Sequence, residues 1–274
     1  MTIYMTSDLH VDHYISEGMS LEKYMAAALK PADVLCVAGD TCDDPNLFVK
    51  FYQAVSPRYK KIFVVFGNHD LTVGNKSYFR NNPFSETQKK LDFLKAELSV
   101  LDNVSVLDGT VEEYEGLKFG GTMACNDWTW AYKLEPDGTD FMFLHNWHYW
   151  FDYINWNYMG NNHAEILKSE MDKLDYVASQ KPDIIMTHFI PLFFGVERAY
   201  YYSESTSYFY FDGQKYLNLL KDKCIWQAGH THTARAKDLH QPDGRLIHLK
   251  LNPVGYPDEF PENAGKRDMF IVTR

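Results

Sequence analysis

Five short apolar runs along the chain predict buried β-strands, and a polar segment follows each run. The third run, residues 62–66, holds five consecutive large apolar side chains, three of them β-branched, which is typical of a strand buried on both faces. We expect Gly67 to end this strand, because glycine takes backbone angles that other residues avoid. The five runs are residues 3–7, 34–38, 62–66, 184–187 and 225–228.

An Asp, His or Asn residue follows within two positions of the end of every run. In open α/β sheets, ligands bind at the carboxyl ends of the strands. We therefore expect these polar side chains to converge on one rim of a sheet. The segments are Asp8-Leu9-His10, Gly39-Asp40-Thr41-Cys42-Asp43, Gly67-Asn68-His69-Asp70, His188 and Gly229-His230-Thr231-His232.

Helical and alternating patterns fill the segments between the runs. Asp44-Pro45 predicts a helix start, with Asp as the N-cap residue and Pro in the first turn. Ser85 to Gln88 has the pattern of a capping box, which predicts the start of another helix. Further patterns predict helices over 20–29, 163–179 and near 213–222, an antiparallel second sheet with strands at 104–107, 110–115 and 117–122, and closing strands at 245–251 and 269–273.

Two aromatic-rich segments fit neither a helical nor a strand period. Residues 141–158 hold nine aromatic side chains, and residues 193–211 form a second such segment soon after His188. We interpret residues 126–162 and 193–211 as insertions on the site side of a single domain that covers residues 1–274. Their rings either pack on one another or form a wall that stacks against the substrate.

Composition narrows the class of partner. The formal net charge of −10 argues against a surface built to hold a nucleic-acid backbone. The four cysteines have no paired spacing, so neither a disulfide framework nor a zinc knuckle is indicated. Because no segment approaches the roughly 18 apolar residues of a membrane span, and the N-terminus lacks a secretory pattern, we expect a cytoplasmic protein with no membrane partner. The oligomeric state stays open.

The polar segments together offer seven candidate metal ligands. Two carboxylates, four imidazoles and one carboxamide favour Mn²⁺, Fe or Zn²⁺ over Ca²⁺ or Mg²⁺. Seven ligands are too many for one ion but suit two divalent ions that share a carboxylate, and such pairs act on phosphoryl groups. The candidates are Asp8, His10, Asp40, Asn68, His188, His230 and His232.

The order of the motifs resembles the calcineurin-like metallophosphoesterase family, in particular its bacterial and phage members. The matching motifs are Asp-x-His, Gly-Asp-x-x-Asp, Gly-Asn-His-Asp, Thr-His and Gly-His-Thr-His, and residues 252–257 also look like the tail of those members. The resemblance implies an α/β four-layer sandwich, with two central mixed β-sheets flanked by helices and the aromatic-rich insertions capping the metal site. It also implies two divalent ions, with Mn²⁺ favoured: one held by Asp8, His10 and His232, the other by Asn68, His188 and His230, with Asp40 bridging them.

By the same resemblance, His69 is not a ligand but the general acid, and Asp43 is the carboxylate that orients its ring. A leaving alkoxide needs a proton, and a carboxylate partner fixes the tautomer of a histidine and raises its basicity. The resemblance implies attack on the phosphorus by a hydroxide that bridges the metals. Asp70 is expected to be a structural hydrogen-bond acceptor.

The substrate stays open between several classes. Protein phosphatases of this superfamily carry Arg after the second Asp of the Gly-Asp motif, whereas Asp44 follows Asp43 here. This difference and the acidic charge favour a small-molecule phosphomonoester or phosphodiester, nucleotides included, over phosphoproteins and nucleic acids. The alternatives are a nuclease acting on DNA or RNA ends and a metal-binding scaffold without turnover. The intact His69 and Asp43 argue against the scaffold, since neither is needed to hold metal.

Overall fold

Two β-sheets form the centre of the protein, in a computed structural model that describes residues 1–73, 82–260 and 270–274. Eleven strands lie in these ranges, and all five predicted runs contribute one. The strands are β1 (Thr2–Thr6), β2 (Val34–Ala38), β3 (Lys61–Val65), β4 (Val104–Val106), β5 (Thr110–Tyr114), β6 (Leu117–Gly121), β7 (Ile184–Met186), β8 (Ile225–Ala228), β9 (Arg235–His240), β10 (Leu246–Leu251) and β11 (Ile271–Thr273).

Both sheets are mixed. The first has the order β11-β1-β2-β3-β4, in which only β11 is antiparallel to its neighbour. The second has the order β5-β6-β7-β8-β10-β9, with a parallel centre and an antiparallel pair at each edge. Because the central strands of each sheet are parallel, their carboxyl ends share one edge, where ligand sites of α/β sheets form.

The described residues also form eight α-helices. Helix α3 begins as predicted, because the Asp44 carboxylate accepts hydrogen bonds from the backbone N–H groups of Asn46 and Leu47 at 2.8 and 3.1 Å. The helices are α1 (Val11–Ser16), α2 (Leu21–Ala28), α3 (Pro45–Val55), α4 (Thr87–Ser99), α5 (Thr129–Leu134), α6 (Asp140–Trp147), α7 (Phe151–Asn155) and α8 (His163–Ser179).

Alternate residues of the strands face two apolar cores. One core lies between the sheets, where the rings of Phe63 and Phe119 stack with their centroids 4.2 Å apart. The other core joins the outer faces of the sheets to the helices: Leu35 and Val64 belong to it together with Phe48 of α3. This arrangement confirms the predicted sandwich of two mixed sheets flanked by helices.

One strand pairs differently from the prediction. We expected residues 104–107 to join the antiparallel second sheet, but β4 pairs in parallel with β3 in the first sheet, where Val104 lies opposite Ile62. Helix α4 connects these two strands, and a strand–helix–strand crossover returns the chain parallel to its first strand. Strands β5 and β6 do form the predicted antiparallel pair.

The predicted capping box at Ser85 to Gln88 was wrong. Helix α4 begins at Thr87, and its N-cap residue, Glu86, makes no side-chain capping bond. At the start of the helix, Thr87 makes tertiary contacts: its hydroxyl donates to the carbonyl of Leu71 and its backbone N–H to the carbonyl of Asn157, both at 3.0 Å.

Near the C-terminus the sequence pattern was weaker. The predicted helix at 213–222 is only a 3-10 turn over Gln214–Asn218. Strand β9 was not predicted, because this edge strand carries charged side chains and shows no regular alternation of apolar and polar residues. Met269 of the predicted last strand lies outside the described residues, and β11 begins at Ile271.

The first aromatic insertion, residues 126–162, contains the short helices α5, α6 and α7. Helices of five to eight residues are too short to show a period, so the sequence did not predict them. The second insertion, residues 193–211, consists largely of 3-10 turns. Among the helices in the described part of the chain, none has the length and apolar character that crossing a membrane requires.

Candidate metal centre

The predicted polar segments leave the carboxyl ends of five strands, three from the first sheet and two from the second, and meet between the sheets. Several of the residues there have an unusual backbone. Asp8, His10, Asp40 and His230 take φ values of 51°, 41°, 54° and 68°, in the left-handed region that residues other than glycine seldom occupy. Such conformations cost free energy and cluster at functional sites.

The candidate ligand atoms form two adjacent groups. Asp8, His10 and His232 form one, and Asp40, His188 and His230 form the other, with the donor atoms of each group within 4.8 Å of one another. In the first group, His10 Nε2 lies 3.1 Å from His232 Nε2. In the second group, His188 Nε2 lies 3.1 Å from His230 Nδ1.

Asp40 lies between the two groups. Its Oδ2 is 3.2 Å from His188 Nε2 and 3.9 Å from His10 Nε2. The amide oxygen of Asn68 joins the second group, at 2.9 Å from His188 Nε2. All seven predicted ligands are therefore brought together, with Asp40 in contact with both sides.

The chemistry of these groups fits a divalent cation. Asp8 is buried, and its Oδ2 has no hydrogen-bond partner among the described residues, which leaves a carboxylate oxygen uncompensated. Burial also lowers the pKa of His10 and His230 well below the ordinary value, so both rings are neutral and keep the lone pair that metal binding requires. Burial lowers the pKa of His188, but the nearby Asp40 carboxylate raises it to about 9. The ring therefore holds a proton, and a bound cation would compete with this proton for the ring nitrogen.

Contacts outside the cluster orient three of the rings. His188 Nδ1 lies 2.9 Å from the carbonyl oxygen of Ala38, and His232 Nδ1 lies 2.6 Å from Glu259 Oε2. A hydrogen bond donated by one ring nitrogen fixes the orientation of the ring, so that the other nitrogen faces the cluster. His230 is oriented the other way round, with Nε2 3.3 Å from the Tyr208 carbonyl oxygen and Nδ1 toward His188.

Asp70 is a structural acceptor, as predicted. Its Oδ2 accepts from the backbone N–H groups of Gly67 and Asp40 at 2.8 and 3.0 Å. Its Oδ1 accepts from those of Thr41 and Cys42 at 2.9 and 3.1 Å. One buried carboxylate thus ties the loop after β3 to the loop after β2.

Gly67 is required for a different reason from the one expected. Its φ is not positive, so it does not use the backbone freedom of glycine. Instead, a Cβ atom at this position would collide with the Asp40 carboxylate and lie 2.5 Å from the Asp40 backbone nitrogen. The absence of a side chain lets the two ligand loops approach each other.

His69 and Asp43 form a hydrogen-bonded pair beside the cluster. His69 Nδ1 lies 3.0 Å from Asp43 Oδ1, and that oxygen also accepts from the Thr72 hydroxyl at 3.1 Å. Burial alone would lower the pKa of His69, but the carboxylates of Asp43 and Asp40 raise it to about 10. The ring is therefore protonated at neutral pH, with Nε2 turned toward the cleft, 3.5 Å from the Tyr256 hydroxyl.

A cleft of about 520 Å³ opens above the cluster. Both aromatic insertions border it: Trp150 and Phe151 come from the first, and Tyr200 and Phe209 from the second. Many other rings of the insertions pack internally. The expectation that the insertions cap the metal site agrees with this arrangement, and both packing and cleft-lining rings occur.

Packing accounts for the larger aromatic residues of the first insertion. Trp147, Trp156 and Tyr158 are buried, and Trp147 packs edge to face on Trp156 with centroids 6.4 Å apart. Trp150 stacks on Tyr208 of the second insertion with centroids 4.6 Å apart. The two insertions therefore hold each other over the site.

Several site residues escaped the sequence analysis. Tyr256 lies within the segment 252–257, and Glu259 lies two residues after it. The resemblance of this segment to a family tail was the only signal available for them. Asp152, which accepts from Asn68 Nδ2 at 2.9 Å, gave no signal at all, because it lies within an aromatic segment without a period. Such tertiary partners become visible only when the loops are folded.

The fold and the ligand cluster together define a metallophosphoesterase, and the chain belongs to the calcineurin-like phosphoesterase family, whose model matches residues 1–234. It is therefore a metal-dependent phosphoester hydrolase, as the motifs predicted.

Two similar proteins cover nearly the whole chain. One is a curated protein of Acanthamoeba polyphaga mimivirus, described as uncharacterized protein L509, which is 26% identical over 276 residues, 92% of this chain and 90% of its own length. The other is the crystal structure of phosphopantetheinyl hydrolase (PptH) from Mycobacterium tuberculosis, with a TM-score of 0.74 and 18% identity, covering 95% of this chain and 92% of that one. At this identity the second similarity establishes the fold alone.

The close approach at Gly67 generates a test. Gly67→Ala should push the Asp40 carboxylate aside and weaken Mn²⁺ binding by roughly 10–100-fold, the usual effect of disturbing a ligand's surroundings. Calorimetric titration of metal-free protein measures this. Gly116→Asn is the control, because that glycine faces open space and has a φ of 77°, which Asn tolerates. Unchanged Mn²⁺ affinity in Gly67→Ala would mean that Asp40 can move without loss.

Proposed function

We propose that the protein hydrolyses a phosphomonoester or phosphodiester of a small molecule that carries a planar group such as a nucleobase. The observation that supports this most directly is the hydrogen-bonded pair of His69 and Asp43, which lies beside seven candidate metal ligands on the floor of an aromatic-bordered cleft. Holding metal requires neither His69 nor Asp43, so their pairing favours turnover.

We assign Asp8, His10 and His232 to one divalent ion and Asn68, His188 and His230 to the other, with Asp40 shared by both. The grouping of the donor atoms supports this division. Mn²⁺ is our favoured ion, and Fe or Zn²⁺ also suits the ligand set. When bound, two such ions lower the pKa of water and stabilise negative charge on the phosphoryl oxygens.

The role of His69 is to protonate the leaving oxygen. Asp43 accepts the hydrogen bond from Nδ1, which leaves the Nε2 proton facing the cleft. The raised pKa keeps this proton in place until an alkoxide develops nearby. The backbone N–H of His69 donates to Asp40 Oδ1 at 2.9 Å, so the acid is held at a fixed position relative to the proposed bridging carboxylate.

The cleft favours a substrate with a single phosphate group. Its volume of about 520 Å³ falls within the range for small-molecule sites. Its described lining contains Glu197 and Glu259 but no lysine or arginine, so further phosphates would find neither of these cationic side chains there. Together with the net charge of −10, this argues against polyphosphates and against the alternative of a nuclease.

A substrate panel in Mn²⁺ tests the proposal. It should contain aryl phosphates, nucleoside monophosphates, cyclic nucleotides, nucleoside triphosphates and a short single-stranded oligonucleotide. A phosphopantetheinyl ester belongs in the panel too, because the similar crystal structure is titled a phosphopantetheinyl hydrolase. We expect turnover of monophosphoesters or small diesters that a chelator abolishes and Mn²⁺ restores. Turnover of the oligonucleotide alone would support the nuclease instead.

His69→Ala separates chemistry from metal binding. The variant should keep its metal content yet lose roughly 10²–10⁴-fold in kcat, the usual contribution of a positioned general acid. The loss should be smaller for a nitrophenyl ester than for an alkyl ester, because nitrophenolate leaves without a proton. Asp43→Asn should change kcat in the same direction.

The metal content of His69→Ala decides between the two roles of this residue. Release of one ion from the variant would make His69 a ligand rather than the acid. A loss of kcat that is equal for good and poor leaving groups would also contradict the proposed proton transfer.

The aromatic border of the cleft generates a third test. Tyr200 lines the cleft with 48% of its surface exposed, whereas Tyr202, which is 90% exposed, is not among the lining residues. Stacking on a base contributes about 1–3 kcal/mol. Tyr200→Ala should therefore raise KM for a nucleoside monophosphate by roughly 5-fold or more, with a smaller change for a methyl phosphoester. Tyr202→Ala, the control, should leave both KM values unchanged, and equal effects of Tyr200→Ala on both substrates would refute stacking.

A further inference from the structure

Helix α7 of the first aromatic insertion contacts the loop that carries Asn68 and His69 at several points. Asp152 Oδ1 accepts a hydrogen bond from Asn68 Nδ2 at 2.9 Å. Just after the helix, Trp156 Nε1 donates to the Asn68 carbonyl oxygen at 2.9 Å. The ring of Phe151 stacks on that of His69 with centroids 4.3 Å apart. One short segment therefore contacts the side chain and backbone of Asn68 and the ring of the proposed acid.

Asp152 determines which atom of Asn68 faces the metal cluster. Because Asp152 Oδ1 accepts the hydrogen bond, the donor atom of the Asn68 amide, its nitrogen, turns toward Asp152. The amide oxygen then points to the opposite side, where it lies 2.9 Å from His188 Nε2. Without an acceptor at this position, the amide could rotate by half a turn and present its NH₂ group, which cannot bind a cation.

Fold stability does not explain why a carboxylate lies here. Asp152 is 1% exposed, and its Oδ2 has no hydrogen-bond partner among the described residues. Burying a carboxylate with one oxygen unpaired costs free energy, and an apolar side chain of similar size would fill the space without that cost. The carboxylate is therefore better explained by its effect on Asn68 than by packing.

We propose that Asp152 is a positioning residue of the metal centre, which fixes the Asn68 amide so that its oxygen faces the ion held with His188 and His230. This inference rests on the proposed role of Asn68 as a ligand. It gives the first insertion a second role beside bordering the cleft, because the same segment that covers the site also sets the orientation of a ligand.

The test compares Asp152→Leu with Asp152→Asn. Leucine has a similar size but no acceptor, whereas asparagine keeps an acceptor oxygen for Asn68. Calorimetric titration of metal-free protein with Mn²⁺, in the absence of substrate, should show one of two sites weakened by roughly 10–100-fold in Asp152→Leu and little changed in Asp152→Asn. Metal-free Asp152→Leu should still unfold in one cooperative transition, although the Asn68 amide loses its acceptor. Ile154→Ala is the matched control, since this exposed residue of the same helix should affect neither Mn²⁺ binding nor the unfolding transition.

The outcomes distinguish this inference from the proposed function. A failure of Asp152→Leu to fold, or Mn²⁺ binding as in the wild type, would make Asp152 a packing residue and overturn the inference; so would equal weakening of Mn²⁺ binding in Asp152→Leu and Asp152→Asn. If the wild type binds two Mn²⁺ ions and Asn68→Ala loses one while Asp152→Leu keeps both, only the role of Asp152 fails. If Asn68→Ala also keeps both ions, the ligand assignment itself is wrong.

Discussion

The arrangement of the candidate metal centre depends on one carboxylate, that of Asp40, which is buried between the two sheets. Asp40 follows β2 of the first sheet, yet its Oδ2 lies 3.2 Å from the ring of His188, which follows β7 of the second. A negative charge in this position is unfavourable unless neighbouring groups compensate it. The His69 backbone N–H does so in part, at 2.9 Å from Oδ1. Bound cations would complete the compensation and link residues of one sheet to residues of the other, which would couple metal binding to the packing of the sheets.

The sequence predicted the parts of this structure that local patterns determine. The five apolar runs form strands, because a run as apolar as 62–66 is stable only where both faces of the strand are covered by other parts of the protein. Helix α8 matches its predicted bounds, 163–179, because seventeen residues are enough to show a clear period. The seven candidate ligands were identifiable because the order of the motifs along the chain follows the order of the strand ends.

Tertiary contacts determine what the sequence did not predict. The strand at 104–107 was assigned to the wrong sheet, because its pairing depends on the crossover through α4 rather than on its own pattern. The sequence analysis identified Gly67 as important. The residue is required because Asp40 approaches it closely, and this contact between two loops leaves no pattern in the sequence. Glu259 contacts His232 and Asp152 contacts Asn68 from distant segments, and no spacing along the chain links these pairs.

The measurement that tests the shared carboxylate most directly is anomalous diffraction at the manganese edge, from crystals grown in Mn²⁺ without chelator. Two anomalous peaks about 3.5–4 Å apart should appear, both within bonding distance of the Asp40 carboxylate. Full occupancy should be secured by soaking in Mn²⁺ before data collection. A single peak at saturating Mn²⁺, or two peaks of which only one contacts Asp40, would contradict the assignment of Asp40 as the ligand common to both ions.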